Sequence, residues 1–247
     1  MGPPSLHSCR RRCTALILVL TPSRENLQKP HTARFAILGG SFNPVHLGHV
    51  AFARALAGLP EVAQVLAIPA ARNPLKADSA LLPDELRWQM ARSALGSLPK
   101  VSVLDMELLR GPPSYSIETA HALQTAYPWA ALDVALGWDA YRDLARWRGV
   151  DDLLELAGLI VVPRAGTLDG SGESRQALEY LPPAWARRLE PARPGAWCDR
   201  RGRTVLRFLS VQLPPVSGTR ILAEHAWDQV PDAARALLLR HLGAASP

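Results

Sequence analysis

From Arg34 onward, short apolar segments alternate with amphipathic ones, and this alternation is the strongest constraint on how the chain can fold. The segments that predict strands are 34–38, 62–68, 101–104, 131–136, 159–162 and 204–209. The segments that predict helices are 47–59, 83–98, 116–127, 150–156, 217–226 and 231–242. Strands and helices that alternate in this way form βαβ units, whose right-handed crossovers build a parallel sheet covered on both faces. We therefore predict an α/β fold, a Rossmann-like doubly wound parallel sheet in a single domain with C-terminal helices.

Two stretches do not follow the alternation. Residues 164–203 are rich in Pro, Gly and Arg and only weakly periodic, which predicts an insertion on the surface. Residues 1–33 contain three consecutive arginines and a short apolar run, which imitates a secretory signal but is interrupted by Pro22. We interpret 1–33 as a disordered leader or a wrongly assigned start, and 34–247 as the folded domain.

The net charge of +6 suggests at first a nucleic-acid partner. Residues 1–34, however, contain six basic residues and one acidic residue, so they carry +5 of this charge and the rest of the chain is nearly neutral. We therefore expect no nucleic-acid partner. No stretch approaches the roughly 18 apolar residues of a membrane span, and three cysteines favour a reducing compartment over a disulfide framework. The sequence predicts a cytoplasmic protein without membrane contact, and it leaves a homo-oligomer open.

A candidate phosphate site lies at residues 39–49, between the first predicted strand and the first predicted helix. Its sequence is Gly-Gly-Ser-Phe-Asn-Pro-Val-His-Leu-Gly-His, and the two glycines allow a ligand to approach the backbone closely. Unpaired N–H groups and the dipole at the start of the helix favour an anion. His46 and His49 are three residues apart and share one helix face, with Gly48 leaving room between them. The stretch matches neither a Walker P-loop nor the dinucleotide fingerprint.

This stretch resembles the HxGH signature of the nucleotidyltransferase superfamily, and the blocks after it narrow the resemblance to bacterial nicotinate-nucleotide adenylyltransferases. In chain order the blocks are Ile68–Ala70, Asn73–Lys76, Arg110–Thr119, Leu136–Tyr141, Trp147, Leu153–Arg164, Val216–Thr219 and the segment after Pro231. The resemblance covers residues 34–243, nearly the whole predicted domain. The HxGH signature alone is moderately specific, whereas the ordered set of blocks is highly specific.

The resemblance implies transfer of an adenylyl group from ATP to nicotinate mononucleotide, which gives deamido-NAD and pyrophosphate, with Mg²⁺ accompanying the ATP. It implies that His46 and His49 contact the ATP phosphates, with His49 as the main stabiliser of the transition state. The other residues implied for ATP are Gly39, Gly40, Ser41, Phe42, Gly137, Asp139, Ser217, Thr219 and Arg220. Those implied for nicotinate mononucleotide are Lys76, Tyr115, Ser116, Trp147 and Arg164, with the ring stacked on Trp147. No residue is assigned as a direct metal ligand, and Asp139 is expected to face the ATP ribose or the metal.

Three positions depart from the family pattern. Leu222 stands where the late motif has an arginine, and Arg220 is the candidate to replace this triphosphate contact. Leu75 stands where a histidine is frequent before Lys76, at the acceptor side. Gly158 stands where a histidine is common near the fifth strand, a change that we expect to have little consequence.

Alternative functions stay open at this point. A related acceptor, nicotinamide mononucleotide or phosphopantetheine, would use the same chemistry. A nucleotide-binding regulator with weakened turnover is the second alternative, because an expected arginine is missing at Leu222. A class I aminoacyl-tRNA synthetase is excluded, since its two-lysine loop cannot be built when only Lys100 follows Lys76.

Overall fold

The computed structural model of the chain describes residues 33–76, 80–163 and 178–243, and within them eight strands form one sheet. The strands are β1 (Ala33–Gly40), β2 (Val62–Pro69), β3 (Val101–Val103), β4 (Ala130–Gly137), β5 (Ala157–Val162), β6 (Glu190–Arg193), β7 (Ala196–Cys198) and β8 (Thr204–Phe208). Their order across the sheet is β3-β2-β1-β4-β5-β8-β7-β6. The first six strands in this order, β3, β2, β1, β4, β5 and β8, pair in parallel. The last two, β7 and β6, add an antiparallel edge. This mostly parallel, doubly wound sheet confirms the predicted Rossmann-like α/β fold.

Six of the nine helices in the described part of the chain lie where the periodicity predicted them, with ends shifted by up to a few residues. They are α1 (Leu47–Ala57), α2 (Asp84–Leu95), α3 (Met106–Arg110), α4 (Ser116–Ala126), α5 (Trp138–Arg142), α6 (Val150–Leu156), α7 (Pro183–Ala186), α8 (Gly218–Glu224) and α9 (Asp232–His241). The short helices α3, α5 and α7 were not predicted, because four or five residues carry too little periodicity to be recognised. In the described ranges, no helix is both long enough and apolar enough to cross a membrane.

Both faces of the sheet are buried under helices. Successive side chains of a strand point to opposite faces, so Phe35 and Ile37 belong to one core cluster, together with residues of α4, α5, α6 and α7. Ala36 and Leu38 belong to a second cluster, together with residues of α1, α2, α8 and α9. Because neither face meets water, the central strands read as continuous apolar runs in the sequence.

Residues 178–203, which we predicted to lie on the surface as part of an insertion, contribute several side chains to the core, although β6 and most of the arginines in the segment are exposed. They contain α7 and the strands β6 and β7, which extend the sheet beyond β8. Leu181, Trp185, Leu189 and Trp197 are at most 3% exposed and pack into the first core cluster. The prediction was wrong because short strands separated by arginines have almost no periodicity. Residues 164–177 lie outside the described part of the chain.

Gly158 has a structural consequence that the sequence did not suggest. It pairs with Asp133 of β4, a carboxylate that is only 4% exposed and accepts hydrogen bonds from Arg34 Nη1 at 2.8 and 2.9 Å. A Cβ added to Gly158 would overlap Asp133 Oδ1 and would lie 3.0 Å from the carbonyl oxygen of Thr204. A side chain at this position would therefore crowd Asp133, and whether the departure from the family pattern affects function stays a prediction.

The substitution Gly158→Ala is expected to lower the free energy of unfolding by about 1–3 kcal/mol, the usual cost of overpacking a core. Denaturant unfolding measures this cost in the wild-type background and again in an Asp133→Ala background, where the space is open. The cost should be smaller in the second background, because the overlap with the carboxylate is gone. An equal cost in both backgrounds would contradict this explanation.

The order of the strands reverses between β1 and β4. The chain runs from β1 outward to β3 on one side, and then from β4 outward to β5 and β8 on the other. Such a reversal leaves a crevice at the carboxyl ends of the two strands, which is where doubly wound sheets bind their ligands. Gly40 and Gly137, the last residues of β1 and β4, mark that crevice here.

Candidate functional site

A cavity of about 1420 Å³ lies at the carboxyl ends of β1 and β4. It exceeds the roughly 300–1,000 Å³ of pockets for drug-sized ligands. The starts of α1, α4, α5 and α8 and the segment between β8 and α8 line it. The predicted site residues that line it are Gly39, Gly40, Ser41, His46, His49, Tyr115, Ser116, Gly137, Asp139, Trp147, Ser217 and Arg220.

Four predicted site residues do not line the cavity with a described side chain. The Phe42 ring is wholly buried and packs against His49, with ring centroids 4.6 Å apart. Thr219 is exposed on α8 and is not among the lining residues. The backbone of Lys76 ends a short 3₁₀ helix, while its side chain and the whole of Arg164 lie outside the described residues.

In the loop between β1 and α1, two amide donors have no acceptor within the described part of the chain. Among the described residues, no acceptor pairs with the N–H groups of Ser41 and Phe42. Phe42 has a φ of 45°, a left-handed conformation that reverses the chain here. The N–H groups of Leu47 and Gly48 are in the first turn of α1, where a helix offers no acceptor of its own. This arrangement suits an anion, because donors and the positive end of the helix dipole coincide.

The two histidines are stacked on each other at this helix start. Their ring centroids are 3.7 Å apart, and the backbone N–H of His46 donates to His49 Nδ1 at 3.2 Å. Because Nδ1 accepts a hydrogen bond, the proton of a neutral His49 ring lies on Nε2. Nε2 is 3.9 Å from the position that a Cβ on Gly40 would take, at the end of β1. His49 therefore presents an N–H donor beside the glycine pair.

His46 is held neutral by burial. Burial lowers the pKa of its ring from 6.5 to about 4, and its Nδ1 is buried with no hydrogen-bond partner among the described residues. A Cβ on Gly48 would lie 3.1 Å from the His46 ring and 3.5 Å from the carbonyl oxygen of Pro214. A side chain at position 48 would thus be tight against the His46 ring.

The lowered pKa of His46 predicts a loss of stability in mild acid. The unfolded state binds a proton below about pH 6.5 and the folded state only below about pH 4, so stability falls as the pH drops between these values. Urea unfolding at pH 7 and pH 5 is expected to show a loss from this group of about 2 kcal/mol. His46→Gln should remove that loss, whereas the exposed His121→Gln should leave it unchanged. An unchanged pH dependence in His46→Gln would contradict the burial of a neutral ring.

The start of α8 lies directly against the β1–α1 loop. Ser217 has extended backbone and precedes the first helical residue, Gly218. A Cβ on Gly218 would lie 2.5 Å from the carbonyl oxygen of Asn43, so the two backbones touch directly at this glycine. Arg220 lines the cavity, and its guanidinium binds Glu224 at 3.0 Å. The loop that carries the histidines and the late motif thus form one continuous wall.

An aromatic wall lies at another part of the cavity. Tyr115 and Trp147 are partly buried, pack on the first core cluster and line the cavity. The guanidinium of Arg148 lies 4.6 Å from the centroid of the Tyr115 ring and 3.7 Å from Glu118. A flat ring can stack on such a wall, with cationic groups close by.

Asp139 and Gly137 lie where β4 gives way to α5. Gly137 precedes the helix and Asp139 is in its first turn, exposed at the cavity. Glu107 is the other carboxylate that lines the cavity, and it is buried against the hydroxyl of Thr119. No cluster of three His, Cys, Asp or Glu side chains in the described part of the chain has the arrangement of a metal site.

Sequence reasoning missed several residues that shape this cavity. Arg146, Arg148 and Glu107 line it, and the buried Arg87 supports its edge. Arg87 lies in a helix whose other arginine, Arg92, is exposed, so composition gives no sign of its burial. Arg148 could have been suspected from its place next to Trp147.

Comparison with known proteins points in one direction. A family model described as cytidylyltransferase-like matches residues 37–224. The chain is 39% identical over 134 residues to a probable nicotinate-nucleotide adenylyltransferase of Carboxydothermus hydrogenoformans, covering 54% of this chain and 66% of that protein. It is 32% identical over 197 residues to one of Symbiobacterium thermophilum, covering 78% of this chain and 94% of the relative. The first of these alignments spans slightly less than two thirds of the relative's length.

The fold is shared with a solved structure. Nicotinic acid mononucleotide adenylyltransferase of Plasmodium falciparum, complexed with NaAD, superposes with a TM-score of 0.61 at 12% sequence identity. The superposition covers 85% of this chain and 96% of the other. At this identity, the likeness concerns the fold.

Proposed function

The chain belongs to the cytidylyltransferase-like family and, within it, to the nicotinate-nucleotide adenylyltransferases, and from this membership we propose that it transfers the adenylyl group of ATP to nicotinate mononucleotide. The products are deamido-NAD and pyrophosphate, a step of NAD biosynthesis. The observation that carries the proposal is that one cavity joins the β1–α1 loop and its two histidines to an aromatic wall. The relative from Symbiobacterium thermophilum bears the name of this activity.

The reaction needs positioned donors more than covalent chemistry. The 5′-phosphate of nicotinate mononucleotide attacks the α-phosphorus of ATP, a new P–O bond forms, and the bond to pyrophosphate breaks. Negative charge that shifts to the phosphate oxygens is stabilised by the Nε2–H of His49 and by the amides of the β1–α1 loop. His46 acts as a neutral donor, because burial holds its pKa at about 4.

The two substrates occupy different walls of the cavity. ATP lies with its phosphates between the β1–α1 loop and Ser217, where the donors are gathered. The nicotinate ring lies on Trp147 beside Tyr115. Holding both substrates in one cavity makes the attack effectively intramolecular, which is a large part of the barrier that such enzymes remove.

Mg²⁺ fits the site as a cation that arrives with the triphosphate. Asp139 and Glu107 are the carboxylates that line the cavity, too few to bind the ion alone, and of the two Asp139 is exposed. Asp139 would therefore contact the Mg²⁺–ATP complex through one oxygen or a water molecule. When bound, the ion neutralises phosphate charge and assists the departure of pyrophosphate.

Pyrophosphate release with ATP, Mg²⁺ and one acceptor at a time tests the proposal. Release with nicotinate mononucleotide, and much less with nicotinamide mononucleotide or phosphopantetheine, is the expected result. A preference for either of the other acceptors would replace the proposed substrate. If the protein binds ATP but releases no pyrophosphate with any of the three acceptors, a nucleotide-binding regulator is favoured. This is the alternative suggested by Leu222, which stands where the family has an arginine.

Arg220 is expected to bind the triphosphate of ATP in place of the arginine that is missing at Leu222. Arg220 lines the cavity and its guanidinium is held by Glu224, so Arg220→Ala should raise the KM for ATP several-fold while kcat changes less. Initial rates at varied ATP measure this split. Arg240→Ala, an exposed cation at the end of α9, is the control for a simple loss of charge. An unchanged KM for ATP in Arg220→Ala would show that Arg220 does not replace the missing arginine as a contact to the triphosphate.

A further inference from the structure

A fully buried arginine supports the edge of the cavity. Arg87 lies in the first turns of α2 with 0% of its surface exposed. All three guanidinium nitrogens donate hydrogen bonds. The acceptors are Leu82 O (3.1 Å from Nε), Ser41 O (2.6 Å from Nη1), Ala70 O (2.7 Å from Nη1), Ala71 O (3.3 Å from Nη2) and Asp84 Oδ1 (2.6 Å from Nη2).

The acceptors of Arg87 define the backbone of the β1–α1 loop. The Ser41 carbonyl belongs to the loop itself, and the Ala70 carbonyl follows the end of the neighbouring strand β2. The Gly40 carbonyl is engaged as well, since it accepts the N–H of Ala70 at 2.8 Å. Two successive carbonyls, one at the end of β1 and one in the loop, are thus bound on the protein side. The amides that follow them, on Ser41 and Phe42, have no acceptor among the described residues.

A second contact ties the same loop to the segment before α2. The Asn43 side chain donates to Ala80 O at 2.9 Å and accepts the N–H of Leu82 at 2.8 Å. Leu82 in turn gives its carbonyl to Arg87 Nε. The loop, the segment 80–82 and the start of α2 are therefore connected by side chains that bind backbone groups, a rigid support for the loop.

Packing alone does not account for a charge at this position. Burial of a guanidinium is costly unless its hydrogen bonds are all made, and an apolar residue of similar volume often stabilises a core better. The only carboxylate bound to Arg87 among the described residues is Asp84, whose own side chain is half exposed. Four of the five hydrogen bonds go to backbone carbonyls. The guanidinium therefore mainly fixes the path of the backbone.

We propose that Arg87 is a positioning residue for nucleotide binding. By binding the carbonyls of Ser41 and Ala70, it orients the peptide groups so that the Ser41 and Phe42 amides are available to the triphosphate. The inference rests on the proposed function, because it concerns the phosphates of the ATP that the cavity is proposed to bind. It adds a residue that touches no substrate and lies on a different helix from the histidines.

The test compares two Arg87 variants with two controls. Arg87→Lys keeps the charge but cannot reach all the carbonyls, and Arg87→Met removes every donor. Met90→Ala, one turn further along α2 and fully buried, is the control for a core defect that removes no hydrogen bond to the loop. Asp84→Asn removes the carboxylate and leaves the bonds to the carbonyls. ATP binding by calorimetry and the kinetics of pyrophosphate release are measured for each, below the lowest Tm of the set.

Arg87→Lys should raise the Kd for ATP and lower kcat by about tenfold or more, since small displacements at a reacting centre are that costly. Its KM for nicotinate mononucleotide should change less than the Kd for ATP, because Arg87 makes no hydrogen bond to Tyr115 or Trp147 and reaches that wall only through Ala71 and Ser114. Met90→Ala and Asp84→Asn should keep the ATP Kd within about twofold of wild type, whatever Tm they lose. If Arg87→Met does not fold, Arg87→Lys still decides the question.

Equal ATP affinity in Arg87→Lys and in Met90→Ala would overturn the inference, because Arg87 would then serve folding alone. A loss of ATP affinity in Asp84→Asn equal to that in Arg87→Lys would also overturn it, since the ion pair and not the carbonyls would be responsible. A wild-type protein that binds ATP but releases no pyrophosphate refutes the proposed function, while the comparison of Kd values still tests Arg87. A wild-type protein that binds no ATP overturns both.

Discussion

His49→Ala is expected to lower kcat for adenylyl transfer by about 100- to 1000-fold, the usual cost of removing one preorganised donor to a transition state. The donor is the Nε2–H, which is fixed because Nδ1 accepts the backbone N–H of His46 at 3.2 Å. Single-turnover rates of pyrophosphate release measure the effect directly. The KM for ATP should change less than kcat, since the amides of the loop continue to bind the phosphates.

The matched control for His49→Ala is His121→Ala, because His121 is exposed on α4 and does not line the cavity. Both variants should unfold cooperatively and remain folded at the assay temperature, so that a loss of kcat is not a loss of folded protein. A kcat in His49→Ala within a few-fold of that in His121→Ala would refute the role of His49 in the transition state.

Gly218→Ala is expected to damage both stability and activity. The added Cβ would lie 2.5 Å from the carbonyl oxygen of Asn43 and 3.0 Å from its carbon, so a backbone segment must move. A cost of about 1–3 kcal/mol in the free energy of unfolding follows from such overpacking. The movement separates Ser217 from the β1–α1 loop, so kcat/KM for ATP should fall by about tenfold to 100-fold.

Gly137→Ala is the control for Gly218→Ala, because the space beside Gly137 is open and the space beside Gly218 is filled. A Cβ on Gly137 meets nothing within 4 Å, and its φ of −73° suits alanine, so its free energy of unfolding should stay near that of wild type. Denaturant unfolding of the two variants side by side measures the difference. If Gly218→Ala unfolds at the same denaturant concentration as Gly137→Ala, the contact between α8 and the loop is looser than we infer.

Much of the fold could be predicted because it depends on local periodicity. The apolar run of β1 predicts a strand buried on both faces, and its Phe35 and Ala36 do pack into different core clusters. The helix α6 begins and ends where the sequence predicts, with Asp151 and Asp152 in its first turn at the positive end of the helix dipole. These features need no knowledge of distant residues.

The candidate site could be predicted in part for the same reason. The histidines and the glycine pair are contiguous in sequence, so their presence at a strand-to-helix turn can be read directly. The protonation of His46 and the tautomer of His49 could not be predicted. The pKa of His46 depends on burial by surrounding elements, and the tautomer of His49 depends on one hydrogen bond from the backbone. The left-handed φ of Phe42 was equally invisible, since aromatic residues seldom adopt it.

Residues whose roles depend on distant partners were missed or misjudged. Gly158 matters because Asp133 fills the adjacent space, although the two lie on different strands. Trp185 and Trp197 belong to the core, although their segment reads as an irregular insertion rich in arginine. In each case the partner is remote in sequence, and no local pattern identifies it.

The sequence by itself determined the alternation of strands and helices and the place of the histidine motif after β1, because both arise from neighbouring residues. Only the tertiary structure decided what surrounds that motif: the reversal of strand order beside β4, the contact of Gly218 with Asn43, and the bonds of Arg87 to the Ser41 carbonyl. The physical reason is that these contacts join segments far apart in the chain. Their geometry is set by how the whole sheet and its helices pack, and a periodicity of two or 3.6 residues does not encode it.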